Sequence, residues 1–193
     1  MPVLRTAVIG VGYLGRFHAQ KYAQAADSRL VAVVDASEAA RTQVGAETGA
    51  RPVADYRELL GEVDAVSVVT PTPAHHPIAL DFLRAGAHVL VEKPITETVG
   101  QARELIDAAC KAGRVLQVGH LERFNPAVLA AEPFLRMPRF IECHRLAPYR
   151  ERGTDVNVVL DLMIHDIDIV QAIVGSPIAT VEAVGAPVFS DER

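Results

Sequence analysis

Cysteine is scarce in this sequence, clustered positive charge is missing, and no apolar run approaches membrane length. The two cysteines among 193 residues, Cys110 and Cys143, lack C-x-x-C spacing. They exclude a disulfide framework and a thiolate metal site, and both read as buried, unreactive thiols. Nineteen Lys and Arg stand against 24 Asp and Glu, a formal charge of −5, and the basic residues are scattered. A surface that tracks a phosphate backbone is therefore excluded, and nucleic acid is not an expected partner. The longest apolar runs, near residues 31–34 and 65–69, are strand-sized against the ~20 residues needed to span a bilayer, and no charged-then-apolar leader opens the chain. These absences predict a cytoplasmic protein with no membrane partner. What is present is ordinary globular composition, 50% hydrophobic and 22% charged, without internal repeats or low-complexity segments.

From residue 4 to 119 short β-branched runs alternate with helix-length stretches, each bounded by Gly, Pro or Asp. Strands are predicted over 4–9, 30–34, 51–53, 65–69, 88–91 and 115–118, and helical stretches over 14–24, 37–48, 56–60, 78–85 and 99–112. The strands are nearly continuous hydrophobic runs, which marks strands covered on both faces. The fold class is therefore α/β, a doubly wound parallel sheet of the Rossmann kind. Asp55 reads as a helix start, and Gly86 and Gly113 as helix stops. After about residue 120 the pattern breaks: Pro126, Pro133, Pro138 and Pro148 interrupt the chain. A strand over 139–146, a long apolar helix over 156–174 and a strand over 179–184 follow. The expected division is a nucleotide-binding domain over 1–121 and the incomplete start of a second α/β domain over 122–193. Two strands make a marginal sheet by themselves, so a partner chain or further sequence is expected to complete that second domain.

Gly10-Val11-Gly12-Tyr13-Leu14-Gly15 fits G-x-G-x-x-G directly after the first predicted strand and opens the first helix. The first glycine permits the tight turn, the second lets backbone approach a pyrophosphate, the third lets helix and strand pack closely, and the helix N-terminus faces the phosphates. Asp35 ends the second strand, where its carboxylate can accept hydrogen bonds from a ribose diol and repel a 2′-phosphate. NAD is favoured over NADP. Read separately, the glycines are turn chemistry and the stretch from Asp35 to Glu38 is a capping box.

Asp161, His165 and Asp168 recur at i, i+4 and i+7 and share one face of the long helix, flanked by Ile164 and Ile169 and otherwise surrounded by apolar residues. A narrow polar stripe on a buried cylinder calls for a partner, since desolvated carboxylates and imidazoles are costly unless paired or used. Acid/base chemistry, a structural polar network and a metal site all fit that spacing; no second His or Cys completes a metal set, and no metal is expected. Glu92-Lys93-Pro94 leaves the fifth strand at the carboxyl edge of the sheet, where ligands bind in open α/β folds. Lys93 there can polarise a hydroxyl or carbonyl, or be a solvated loop lysine. The Pro-rich stretch from Thr70 to Pro77 lies at the same edge and reads either as a cover for a nicotinamide or as a stiff turn before a helix.

Taken together and in order, Gly10 to Gly15, Asp35, Thr70 to His75, Glu92-Lys93-Pro94, Val118 to Pro126 and the Asp161, His165, Asp168 stripe resemble the Gfo/Idh/MocA oxidoreductases. The resemblance implies an NAD-dependent dehydrogenase acting on CH–OH, with a C-terminal α/β domain that binds substrate and often forms a homo-oligomer. It implies catalytic roles for Lys93, Asp161 and His165, and cofactor contacts from Gly10, Gly12, Tyr13, Leu14, Gly15, Asp35, Thr70, Thr72, His75, Glu92 and Lys93. Substrate contacts fall to Lys93, Arg123, Asn125, Asp161 and His165. The run from Leu121 to Pro126 with the Asp161 helix is most similar to the branch acting on nucleotide sugars. Met163 stands where much of the family has Gly. An NAD-binding module without turnover, and a dehydrogenase of a free polyol, an aldose or a UDP-sugar uronate, remain alternatives. Arg123 meets a substrate diphosphate or forms a surface ion pair.

Overall fold

The computed structural model describes residues 2–146 and 157–186, and the chain divides into two units, Met1–Gly119 and His120–Arg193. In the first unit the strands are β1 (Leu4–Ile9), β2 (Ser28–Val34), β3 (Arg51–Val53), β4 (Ala65–Val68), β5 (His88–Glu92) and β6 (Leu116–Gly119). They are connected through helices α1 (Tyr13–Gln24), α2 (Glu38–Thr48), α3 (Thr72–Arg84) and α4 (Val99–Ala112), with a short 3₁₀ turn at Tyr56–Leu59. Every strand pairing is parallel, and the order β3-β2-β1-β4-β5-β6 reverses direction of travel between β1 and β4.

Side chains alternate faces along a strand, and both faces of this sheet are covered. Ala7, Ile9, Val66, Val68, Val89 and Val91 join Phe82 and Leu105, from α3 and α4, in one core. Val8 and Val33 join Ala19 and Val44, from α1 and α2, in the other. That two-sided burial is why the strands read as unbroken apolar runs. Pro52 is tolerated within β3 because β3 is the sheet's edge. Ser37 caps α2 through a hydrogen bond from the Ala40 N–H, and Thr98 with Gln101 forms a reciprocal capping box on α4. Asp55 likewise caps the 3₁₀ turn.

α3 begins at Thr72, six residues ahead of the expected start. Pro73 in the first turn has no N–H to lose. Pro77 forfeits one intrahelical bond, which is offset by burial of Ile78, Leu80, Phe82 and Leu83 just beyond it. The expected burial of the thiols is also corrected: Cys110 and Cys143 are both exposed. Cys110 sits one position past the inward-facing Ala109, so the helical turn carries it away from the core.

The second unit contains a 3₁₀ turn at Leu121–Phe124, α5 (Pro126–Ala131), a second 3₁₀ turn at Glu132–Phe134, a π-helical turn at Val159–Met163, and α6 (Ile164–Val174). The strands expected over 139–146 and 179–184 are absent from the described residues. Among the described residues those segments pair with no other strand, and β-branched composition does not make a strand without a partner. Pro148 and Val156, the expected helix start, lie outside the described residues. No described helix is long and apolar enough to cross a membrane.

Candidate active site

Strand register alone assembles the first part of the site. Val34 pairs with Ile9, Ile9 with Val68, and Val68 with Val91, so one row runs straight across the sheet near its carboxyl edge. The residues just beyond that row, Gly10, Asp35, Val69 and Glu92, are brought side by side, with Thr70 and Lys93 next along the chain. This is the edge, beside the reversal between β1 and β4, at which open α/β sheets take up ligands.

The three glycines of the turn do three different things. Gly10 has φ +86°, and a Cβ there would lie 2.4 Å from the Val69 carbonyl oxygen. A Cβ on Gly15 would lie 1.9 Å from the Gly10 carbonyl oxygen, so α1 approaches the turn closely only because Gly15 has no side chain. At Gly12, apart from its immediate chain neighbours, no described protein atom lies within 4 Å of where a Cβ would be, although its φ of −64° suits any residue. The open backbone at Gly12, the N-cap of α1, fits a diphosphate laid against the helix N-terminus.

Asp35 accepts the Val11 N–H at 2.9 Å through Oδ2 and the Ser37 N–H at 2.8 Å through Oδ1. The carboxylate thereby fixes the glycine turn, and each oxygen keeps capacity for a further donor such as a ribose hydroxyl. Thr70 Oγ1, beside Gly10, is buried without a hydrogen-bond partner among the described residues, a polar atom that a ligand could satisfy. Residues of this unit therefore fit an adenine dinucleotide on three separate counts. Tyr13 and Leu14 open α1 and are exposed, Tyr13 strongly. Thr72 is buried at the start of α3.

The turn carrying Lys93 follows β5, and its Lys93–Pro94 bond is cis. Glu92 is 6% exposed; its Oε2 accepts the Lys93 N–H at 3.3 Å. Its Oε1 lies 3.2 Å from His18 Nε2, a close approach outside hydrogen-bonding geometry. His75 is 1% exposed, with Nδ1 2.9 Å from the Pro94 carbonyl oxygen and Nε2 2.8 Å from that of Thr70. Both ring nitrogens are directed at backbone. The sequence reading overlooked His18. It sits on α1 at the i+3 position from the packing Gly15, with Ala19 and Tyr22 at i+4 and i+7, and that sheet-facing spacing was the signal available. His18 Nδ1 lies 3.2 Å from Ser67 Oγ, which is 2.7 Å from the Tyr22 hydroxyl. Burial pushes the Tyr22 phenol above its usual range.

In the second unit the polar stripe is divided. Asp161 lies inside the π turn, while His165 and Asp168 follow in α6, so the expected uninterrupted α-helical register does not run through all three. The surrounding helix is half-buried to exposed rather than buried: Met163 is 49% exposed and Ile167 37%. Asp168 is taken up by Arg123, whose Nε donates to Oδ2 at 3.0 Å and whose second nitrogen donates to Oδ1. This fork raises the guanidinium's pKa above its ordinary value. Arg145 forms a similar fork with Asp166 at 2.7 and 2.8 Å, holding that carboxyl below the usual range with help from the nearby His165. Asn125 caps α5 by accepting the Ala127 N–H at 2.9 Å. Asp161 and His165 remain half-buried side chains on neighbouring turns.

A parallel sheet in this order, with an open glycine at a helix N-terminus and an acid on the adjacent strand, defines a dinucleotide-binding oxidoreductase domain. Residues 4–120 match the oxidoreductase family with an NAD-binding Rossmann fold, and the chain belongs to this Gfo/Idh/MocA family. It is 43% identical to UDP-N-acetylglucosamine 3-dehydrogenase of Acidithiobacillus ferrooxidans across 98% of this chain and 60% of that protein. A crystal form of that enzyme superposes with a TM-score of 0.90 over 100% of this chain and 64% of the other. Inositol 2-dehydrogenase 2 of Saccharopolyspora erythraea is 34% identical over 98% of this chain and 61% of its own length. GenD2 from gentamicin A biosynthesis, solved in complex with NAD, is 27% identical with a TM-score of 0.80 over 92% of this chain and 55% of its own. The chain thus spans about 60% of the length of the curated relatives it matches.

Proposed function

We propose that the protein is an NAD-dependent dehydrogenase that oxidises a secondary hydroxyl of a nucleotide sugar to a ketone, with the 3-hydroxyl of UDP-N-acetylglucosamine as its substrate position. The observation that supports this reading is the row at the carboxyl edge of the sheet, where the strand ends leading into Asp35, the open glycine turn and Lys93 share one edge. The similarity to the 3-dehydrogenase at 43% identity supports the choice of sugar.

NAD, when bound, accepts the hydride that leaves the carbinol carbon. Gly12 and the start of α1 bind its diphosphate, and Asp35 accepts from its ribose. A neutral His165 takes the hydroxyl proton as the C–H bond breaks, and Asp161 orients that imidazole and stabilises the charge it gains. The Lys93 ammonium stabilises the negative charge developing on the substrate oxygen. An imidazole titrates near neutral pH, which suits it to this exchange. Arg123 and Asn125 are assigned to the substrate side of the site, with Arg123 held ready by Asp168. Assembly into a homo-oligomer through the second unit is part of the same proposal, supported by exposed apolar side chains there such as Phe140 and Leu146. The inositol dehydrogenase likeness favours a free cyclic polyol as the second reading.

The test is reduced-nicotinamide absorbance with NAD and a panel of UDP-N-acetylglucosamine, a UDP-sugar uronate and myo-inositol. The proposal expects turnover with the first. Turnover with inositol alone selects the second reading, and tight NAD binding with no turnover on any member refutes both.

A further inference from the structure

His18, half-buried, and His75, buried, lie on opposite sides of the sheet, and neither takes a step in the chemistry just assigned. Each nonetheless ends at the same short stretch of chain, His18 at the Glu92 carboxylate and His75 at the Pro94 carbonyl. On one side α1 delivers His18, whose side chain is 10% exposed, to the Glu92 carboxylate, 8% exposed, at 3.2 Å. The other oxygen of that carboxylate accepts the Lys93 N–H. β6 makes room for this arrangement: a Cβ on Gly119 would lie 2.5 Å from Glu92 Oε1, so the carboxylate lies flat only over a glycine. On the opposite side α3 delivers His75 to the Pro94 carbonyl and, through its other nitrogen, to the Thr70 carbonyl at the end of β4. Both partners of His75 are backbone carbonyl oxygens, one at each ring nitrogen.

The residue between these two anchors is Lys93. Its own N–H is held from the α1 side and the carbonyl of the next residue from the α3 side. We propose that His18 and His75 are positioning residues for Lys93: acting through Glu92 and through the Pro94 carbonyl, they fix the backbone on both flanks of the lysine and so set where its ammonium stands. His75 also ties that turn to Thr70, beside the glycine turn, so the lysine and the cofactor-binding edge move as one body. Ser67 holds the far nitrogen of His18 and keeps the ring aimed at Glu92. A bulk stabilising role would not require one histidine to end at the Glu92 side chain and the other at the Pro94 carbonyl, on the two residues that flank Lys93.

This inference rests on the dehydrogenase reading for its kinetic consequence but not for its structural one, and the test separates the two. The chain has three lysines, Lys21, Lys93 and Lys111. Reductive ¹³C-methylation therefore gives a simple NMR spectrum in which Lys93 is assigned by its loss in Lys93→Arg. In His18→Asn and His75→Ala the Lys93 signal is expected to shift while those of Lys21 and Lys111 stay, with His75→Gln, which restores amide donors, returning part of the way. In the unmethylated protein kcat is expected to fall ~10- to 100-fold, the scale of an ångström-sized misplacement, with KM for NAD changed less than about threefold in the His18 variant. Rates are taken per NAD-binding molecule, so loss of fold does not imitate the effect. A Lys93 signal unmoved in both the His18 and the His75 variants overturns the proposal, whatever the activity. A moved signal in a protein that turns over no substrate upholds the positioning role and removes the dehydrogenase reading.

Discussion

Replacing each glycine of the turn by alanine separates ligand binding from folding, because the three positions fail for different reasons. At Gly10 a left-handed φ of +86° costs an L-residue about 1–2 kcal/mol. The Cβ placed 2.4 Å from the Val69 oxygen adds overpacking of about 1–3 kcal/mol. The sum, about 2–5 kcal/mol, corresponds to a fall in Tm of about 4–20 °C at about 2–4 °C per kcal/mol for a chain of this size. Gly15→Ala, with its Cβ 1.9 Å from a backbone oxygen, is expected to cost at least as much. Gly12→Ala meets no protein atom and keeps an ordinary φ, so its Tm should stay within about 2 °C of the parent. Its methyl instead occupies the space reserved for the diphosphate, and overpacking of about 1–3 kcal/mol there raises the Kd for NAD about 5- to 150-fold. Thermal melts without nucleotide and calorimetric titration with NAD read the two effects separately. A Gly12→Ala protein that binds NAD like the parent would refute the placement of the diphosphate, and one that melts well below it would refute the claim that the space is open.

Asp35→Asn keeps an acceptor for the glycine turn but removes the charge proposed to meet the ribose. NAD should bind about 10- to 150-fold more weakly, in line with the loss of a charged hydrogen bond worth ~1.5–3 kcal/mol, while NADP gains relative to NAD; an unchanged ratio of the two affinities would count against Asp35 as the ribose ligand. Arg5 donates to Asp64 from both its backbone N–H and its guanidinium, and the carboxyl is held down from 3.8 to about 2. Because the folded state has the lower pKa, this stabilisation is present above pH ~4 and is lost as pH falls through the window down to about 2. Acid titration of Asp64→Asn should therefore lack the part of the stability loss that the parent shows between those values, and superimposable curves would exclude the contribution. Phe82, fully buried between α3 and the sheet, should cost about 3–5 kcal/mol when cut to alanine. Chemical denaturation measures that loss, and one below about 1 kcal/mol would mean that the core collapses around the gap.

The nucleotide-binding half was legible because each of its signals is local. The apolar runs of β1, β2, β4 and β5 have no face free for water, and the glycine turn needs particular residues at fixed offsets. Ser37, Thr98 and Gly113 punctuate helices by hydrogen bonds within a few positions. The early start of α3 was hidden by Pro73 and Pro77, which resemble loop punctuation until one of them falls in a first turn. The second unit was harder because strands over 139–146 and 179–184 depend on backbone neighbours that no local pattern supplies. The π turn at Val159–Met163 also breaks the 3.6-residue count on which the polar face was drawn. In the site, Asp35 and Lys93 were visible from their place at strand ends. His18 and Ser67 were not, since their relation arises only when α1 lies across β4.

The most direct measurement of the account is single-turnover reduction of NAD by His165→Ala, set beside calorimetric NAD binding to the same protein. Loss of a proton acceptor in the transition state should slow reduction about 10²- to 10⁴-fold while NAD affinity stays that of the parent. Parental rates with NAD bound would contradict the central claim that His165 takes the substrate's proton.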